Sequence, residues 1–84
     1  MSGGTVDIVI PQLGEGVAEV TLLGWLKKVG DPIEVGDVLF EVGTEKAVVE
    51  VEAFDSGVLE EILVEGGSSV MPTDVVGRLR IANP

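Results

Sequence analysis

Shifting the chain against itself by 37 residues brings turn residues onto turn residues: Gly30 falls on Gly67 and Asp37 on Asp74. In the same alignment Leu26 meets Leu63, Trp25 meets Ile62, Ile33 meets Val70, Val38 meets Val75 and Val42 meets Leu79. Apolar coincidences are cheap in a chain that is 45% apolar, so the glycine and aspartate matches carry the weight. A chain of this kind builds two similar half-domains around a pseudo-twofold axis. The same shift sends Lys46 to Asn83, where the chain ends. A turn around Lys46 in one half therefore corresponds to the gap between the termini in the other, and the two lie at opposite ends.

The apolar runs are short, rich in β-branched residues and separated by glycine, proline, serine and aspartate. They predict strands over Val6–Ile10, Glu19–Leu26, Ile33–Val35, Val38–Val42, Ala47–Glu52, Val58–Val64, Val70–Met71 and Val75–Ile81. No run has the length and period of a helix, so the class is all-β. Trp25, Ile33, Phe40, Val49 and Ile62 are expected to be largely buried. Residues 1–5 read as a flexible start, residues 6–81 as one domain, and residues 82–84 as the beginning of a linker.

The stretch Phe40–Val51 specifies a hairpin in detail. With Glu45 and Lys46 as the central residues of a two-residue turn, Val42 faces Val49 and Phe40 faces Val51 on one side. Glu41 and Glu50 then face each other on the opposite side, which like charges tolerate in water. A three-residue loop would set Phe40 against Glu50 and spoil both faces. The turn chemistry itself is unusual. Two-residue hairpins favour Asn-Gly, Asp-Gly or Gly-X because the backbone needs positive φ, and Glu-Lys offers neither. A poor local choice within a consistent pattern marks a position where function overrides propensity.

Composition excludes several functions. The net charge of −10, from 15 acids and 5 bases, argues against nucleic-acid backbones and anionic membrane surfaces as partners. Histidine, the commonest general base and metal ligand, is absent from the sequence, as is cysteine, so the unmodified chain is a poor candidate for a self-sufficient enzyme. The longest apolar stretch, near Val20–Leu26, is too short to span a bilayer. Met1-Ser2-Gly3-Gly4 lacks the basic start and apolar core of a signal peptide. The expected location is cytoplasmic, or the mitochondrial matrix if the source is eukaryotic. Glu41, Glu45, Glu50 and Glu52 form no clustered ligand loop and read as a solvated acidic face.

Gly43-Thr44-Glu45-Lys46-Ala47, followed by Val48-Val49-Glu50-Val51, resembles the lipoylation hairpin of 2-oxo acid dehydrogenase acyltransferases. That family usually shows Glu-Thr-Asp-Lys-Ala at the turn; here Gly43 stands where an acid is common and Glu45 where aspartate is usual. Pro11, Leu13, Gly14, Glu15 and Gly16 resemble the loop of lipoyl domains that lies beside the hairpin. Together with the Trp25 and Gly-Asp spacing, the resemblance runs from about Val6 to about Ile81. It implies a flattened barrel, or sandwich, of two antiparallel four-stranded sheets. It implies covalent lipoate on Lys46, with Thr44, Glu45 and Ala47 recognised by a lipoate ligase or lipoyl transferase, and Gly14, Glu15 and Gly16 recognised by a thiamine-dependent 2-oxo acid dehydrogenase. It further implies an acyltransferase core that passes the acyl group to coenzyme A, dihydrolipoamide dehydrogenase as the reoxidising partner, and a monomeric carrier domain that is not itself an enzyme. A biotinyl carrier is the alternative, although its acceptor lysine typically sits between two methionines and Lys46 sits between Glu45 and Ala47. An unmodified interaction module on the same fold is a third possibility, but it has no need of a lysine at the centre of the turn.

Overall fold

The computed structural model describes residues 4–13 and 19–81. Eight strands form: β1 (Thr5–Val9), β2 (Val20–Trp25), β3 (Pro32–Ile33), β4 (Val38–Gly43), β5 (Val48–Glu52), β6 (Gly57–Ile62), β7 (Ser68–Val70) and β8 (Val75–Ile81). They make two four-stranded antiparallel sheets, ordered β1-β8-β6-β3 and β5-β4-β2-β7, with no helix among the described residues. This is the all-β sandwich that the sequence resemblance implies.

The two sheet orders are the same order under exchange of halves. Replacing β1, β2, β3 and β4 by β5, β6, β7 and β8 converts one sheet into the other. The correspondence extends to single hydrogen bonds. Gly30 N–H donates to Leu59 C=O at 2.8 Å, and Gly67 N–H to Leu22 C=O at 2.7 Å. The Asp37 carboxylate accepts from Glu34 N–H at 2.9 Å, and that of Asp74 from Met71 N–H at 2.8 Å. Each aspartate thus closes an Asx-type turn in its own half. The next matched pair differs in chemistry: Gly36 has φ of 94° and Thr73 has φ of 74°. Glycine enters this left-handed region without a Cβ penalty, whereas a β-branched residue is strained there.

The core consists of inward residues from both sheets, among them Ile8, Ile10, Val20, Leu22, Ile33, Phe40, Val42, Leu59, Val76 and Leu79. Strict alternation in β5, where Val51 is buried and Val48, Glu50 and Glu52 are exposed, expresses the period of two that the sequence carries. Ile33 and Phe40 are buried as expected. Trp25, Val49 and Ile62 are only half-buried against the core rather than inside it. For Trp25 the reason is polar: its indole N–H donates to the Val64 carbonyl at 2.8 Å, while its ring packs 4.8 Å from that of Phe40.

Some boundaries differ from the sequence expectation. Residues Ile33–Val35 were expected to form β3, but the strand is Pro32–Ile33; the Asp37 side chain captures Glu34 N–H and turns the chain at once, leaving Val35 exposed. Thr5, assigned to a flexible start, is in β1 opposite Arg80, and Gly4 C=O accepts from Ile81 N–H at 2.9 Å. These pairings place the outermost described residues, Gly4 and Ile81. Ile33, Gly57, Ile81 and Gly4 line up at one end of the first sheet, next to the turn at 34–37 and the connection at 53–56, which Gly36 N–H to Ala53 C=O joins at 2.9 Å. Strand β4 starts there and runs away from it. At about 3.3 Å per residue it carries the following turn roughly 25 Å from the described chain ends.

Candidate functional site

The turn at the far end of β4 and β5 is built in the register that the sequence specifies. Phe40 pairs with Val51, Glu41 with Glu50, Val42 with Val49 and Gly43 with Val48. Thr44 and Ala47 then flank Glu45 and Lys46 at the tip. Phe40 and Val42 are fully buried beneath it, so the hairpin is anchored on its inner side by the core.

The expected need for positive φ at Glu45 or Lys46 does not arise. Thr73 is the only non-glycine residue with positive φ among the described residues. The turn is closed instead by the Thr44 side chain. Thr44 Oγ1 accepts from Lys46 N–H at 3.2 Å and from Ala47 N–H at 3.2 Å, and donates to Ala47 C=O at 3.3 Å. Thr44 N–H donates to the same carbonyl at 2.8 Å. One hydroxyl, with its single proton and two lone pairs, is used in full. The Glu-Lys pair is therefore not a strained substitute for Asn-Gly; a threonine-closed turn accommodates it. The sequence signal was present, since threonine hydroxyls bond backbone groups two or three residues on.

Lys46 is exposed and takes part in no ion pair among the described residues. Lys27, by contrast, lies 3.7 Å from Asp37 beside the opposite turn. Glu45 and Ala47, on either side of Lys46, are also exposed. A primary amine on a closed turn, with nothing holding its head group, fits an amide-forming acceptor: the backbone is fixed and the nucleophile is accessible. Glu41 and Glu50 face each other on the outer side of the hairpin as expected. Among the described residues no group of three or more acidic side chains is arranged to hold a metal ion. The expected partner loop, Gly14, Glu15 and Gly16, lies outside the described residues. Leu13, which leads into it, packs against the core.

Residues 6–79 match the model of the biotin/lipoyl family, described as "Biotin-requiring enzyme". The solved lipoyl domain from the dihydrolipoyl succinyltransferase component of the Escherichia coli 2-oxoglutarate dehydrogenase complex superimposes with a TM-score of 0.76 at 41% identity, over 95% of this chain and all of that one. This chain belongs to the biotin/lipoyl family, as a lipoyl domain. The lipoyl domain is 42% identical over 79 residues to the dihydrolipoyllysine-residue succinyltransferase component of the 2-oxoglutarate dehydrogenase complex of Escherichia coli K12, covering 94% of this chain and 20% of that protein. It is 39% identical over 82 residues to the dihydrolipoyllysine-residue acetyltransferase component of the pyruvate dehydrogenase complex of Corynebacterium glutamicum, covering 98% of this chain and 12% of that protein. The lipoyl domain thus spans a fifth or less of the length of these relatives.

Proposed function

We propose that this domain is a swinging-arm carrier in which Lys46 accepts lipoate through an amide bond. The observation that carries the reading is a single exposed lysine at the tip of a hairpin whose register, core anchoring and threonine closure all fix its position. The names of the relatives, which specify a dihydrolipoyllysine residue, support it. In the attachment step Lys46 Nζ, having lost a proton, bonds to the activated carboxyl carbon of lipoate and the activating group departs. Thr44 holds the backbone of Lys46 and Ala47 during recognition by a lipoate ligase or lipoyl transferase, with Glu45 and Ala47 presented beside the acceptor. When bound, lipoate supplies a dithiolane that receives an acyl group with reduction and yields it to coenzyme A.

The partners follow from that chemistry: a thiamine-dependent 2-oxo acid dehydrogenase as acyl donor, an acyltransferase core as acceptor site, and dihydrolipoamide dehydrogenase for reoxidation. The domain supplies no general acid or base to these reactions. It holds the arm at the end remote from Gly4 and Ile81, so a tether on the chain-end side leaves the tip unobstructed and raises the local concentration of the arm at each site. We place the longer protein among the dihydrolipoamide acyltransferases, in the cytoplasm or mitochondrial matrix. Gly14, Glu15 and Gly16 form the surface for the dehydrogenase.

Biotin is the second reading, favoured by the description of the family model. Intact-mass spectrometry separates the two. After incubation with ATP and either lipoate plus lipoate ligase or biotin plus biotin ligase, a single lipoyl adduct and no biotinyl adduct are expected. Lys46→Arg should remove the adduct, and Lys28→Arg should retain it. A biotinyl adduct, or a lipoyl adduct on the Lys46→Arg variant, contradicts the proposal.

A further inference from the structure

The pseudo-twofold relation permits a comparison of the outer faces of the two sheets, position by position. Strand β6 carries a bulge between Leu59 and Glu61, so Glu60 is the extra residue, and β2 carries the matching bulge between Leu22 and Gly24, so Leu23 is. In the half without the lysine, Glu60 accepts from Arg80 at 2.8 Å, and Arg78 bridges Asp7 at 3.3 Å and Glu61 at 3.2 Å. That face is laced with ion pairs, as a solvated sheet face commonly is. The residues that correspond to Arg80 and Glu60 in the lysine half are Gly43 and Leu23.

The lysine half therefore has an uncharged strip where its twin has charges. Leu23 lies over Gly43: a Cβ on Gly43 would sit 3.3 Å from both Leu23 δ-carbons. Gly43 pairs across to Val48, and both large side chains are available, Leu23 at 45% exposed and Val48 at 62%. The strip begins beside the acceptor. Lys46 precedes Val48 by two residues, and Val48 is the first residue of β5 after the turn. From Val48 to Leu23 is two strand spacings, about 10 Å. A lysine side chain extended by an octanoyl-length acyl chain covers that distance.

We propose that Leu23, Gly43 and Val48 form a resting surface for the lipoyl arm on the outer face of the β5-β4-β2-β7 sheet. The inference rests on lipoylation of Lys46. Amide formation removes the charge of Lys46, and the resulting arm is an apolar chain tethered at the edge of an apolar strip. The absence of a side chain at Gly43 lets Leu23 lie flat across it, next to Val48 on the adjoining strand. Just beyond the strip, Glu41 and Glu50 bound it with charge. A rested arm keeps the dithiolane close to the hairpin until a partner lifts it, which lowers the conformational freedom that must be lost on engagement.

The test is NMR on the 84-residue chain with labelled Leu and Val methyl groups, loaded with lipoate and verified by intact mass. Nuclear Overhauser effects are expected between lipoyl methylene protons and the methyls of Leu23 and Val48. They should be lost in Leu23→Glu and weakened in the isosteric Val48→Thr, with the remaining spectrum unchanged in both. If those effects are missing and shift changes on loading are confined to residues 44–47, the arm is free in solvent and the proposal is overturned. If the Leu23 and Val48 methyls respond only on addition of a 2-oxo acid dehydrogenase, the strip is a protein-docking surface, and the proposal is overturned as well. If intact mass shows that Lys46 does not take lipoate at all, the carrier reading fails first and this inference with it.

Discussion

At the scale of the residue, the decisive group beside Lys46 is the hydroxyl of Thr44. It makes three hydrogen bonds, to Lys46 N–H, Ala47 N–H and Ala47 C=O. Replacing it by the isosteric valine leaves two turn N–H groups to water and frees the tip. Because the turn is exposed, Thr44→Val should lower stability by only about 1 kcal/mol. Its effect on attachment should be larger: the initial rate of lipoylation is expected to fall several-fold, with Thr44→Ser close to the parent. Thermal denaturation and a mass-detected time course measure the two quantities separately. A Thr44→Val chain that is lipoylated at the parental rate would show that the ligase tolerates a loose tip.

At the scale of the element, the matched turns provide an internal control. Gly36 and Thr73 occupy the same left-handed position in the two halves, and Thr73 N–H donates to Ile10 C=O as Gly36 N–H does to Ala53 C=O. An L-residue with a Cβ carries a penalty of about 1–2 kcal/mol there. Thr73→Gly should therefore stabilise the domain by about 0.5–1 kcal/mol after the entropic cost of the added glycine. By the same accounting, Gly36→Thr should destabilise it by about 0.5–1 kcal/mol. Urea denaturation of both variants checks the pair, and opposite signs are the expected result. The glycine of this pair was legible in the sequence as a turn signal, whereas Thr73 was hidden, because threonine carries no signal for positive φ. The bulge at Leu23 was hidden for a related reason: an extra residue inside a run read as one continuous strand, Glu19–Leu26, leaves the alternation looking merely imperfect. The hairpin register was legible because a one-residue slip there would bury Glu50 opposite Phe40. The depth of Trp25 was not, because it depends on a hydrogen bond to the distant Val64 carbonyl.

At the scale of the whole molecule, the repeat, the charge and the remote tip act together. With a net charge of −10, approach to a partner that must reach the tip is governed in part by electrostatics. Glu15→Gln should leave lipoylation nearly unchanged and lower the rate of reductive acylation by the cognate dehydrogenase, with the difference shrinking at high salt. Equal acylation rates for the variant and the parent at low salt would remove Glu15 from the partner surface. The two-sheet architecture accounts for the position of Lys46: β4 begins at the end where Gly4 and Ile81 lie and leads to the tip, so the proposed arm stands apart from the proposed tether. Fixing one residue at that tip is the purpose assigned to the hairpin, and moving the lysine by one residue tests it most directly. In the pairs Glu45→Lys with Lys46→Ala, and Ala47→Lys with Lys46→Ala, the amine stays on the same turn and the core residues Phe40 and Val42 are untouched. Intact mass after incubation with lipoate, ATP and lipoate ligase should show complete modification of the parent and none of either folded variant. Full lipoylation of either shifted lysine would contradict the claim that this hairpin presents one fixed acceptor.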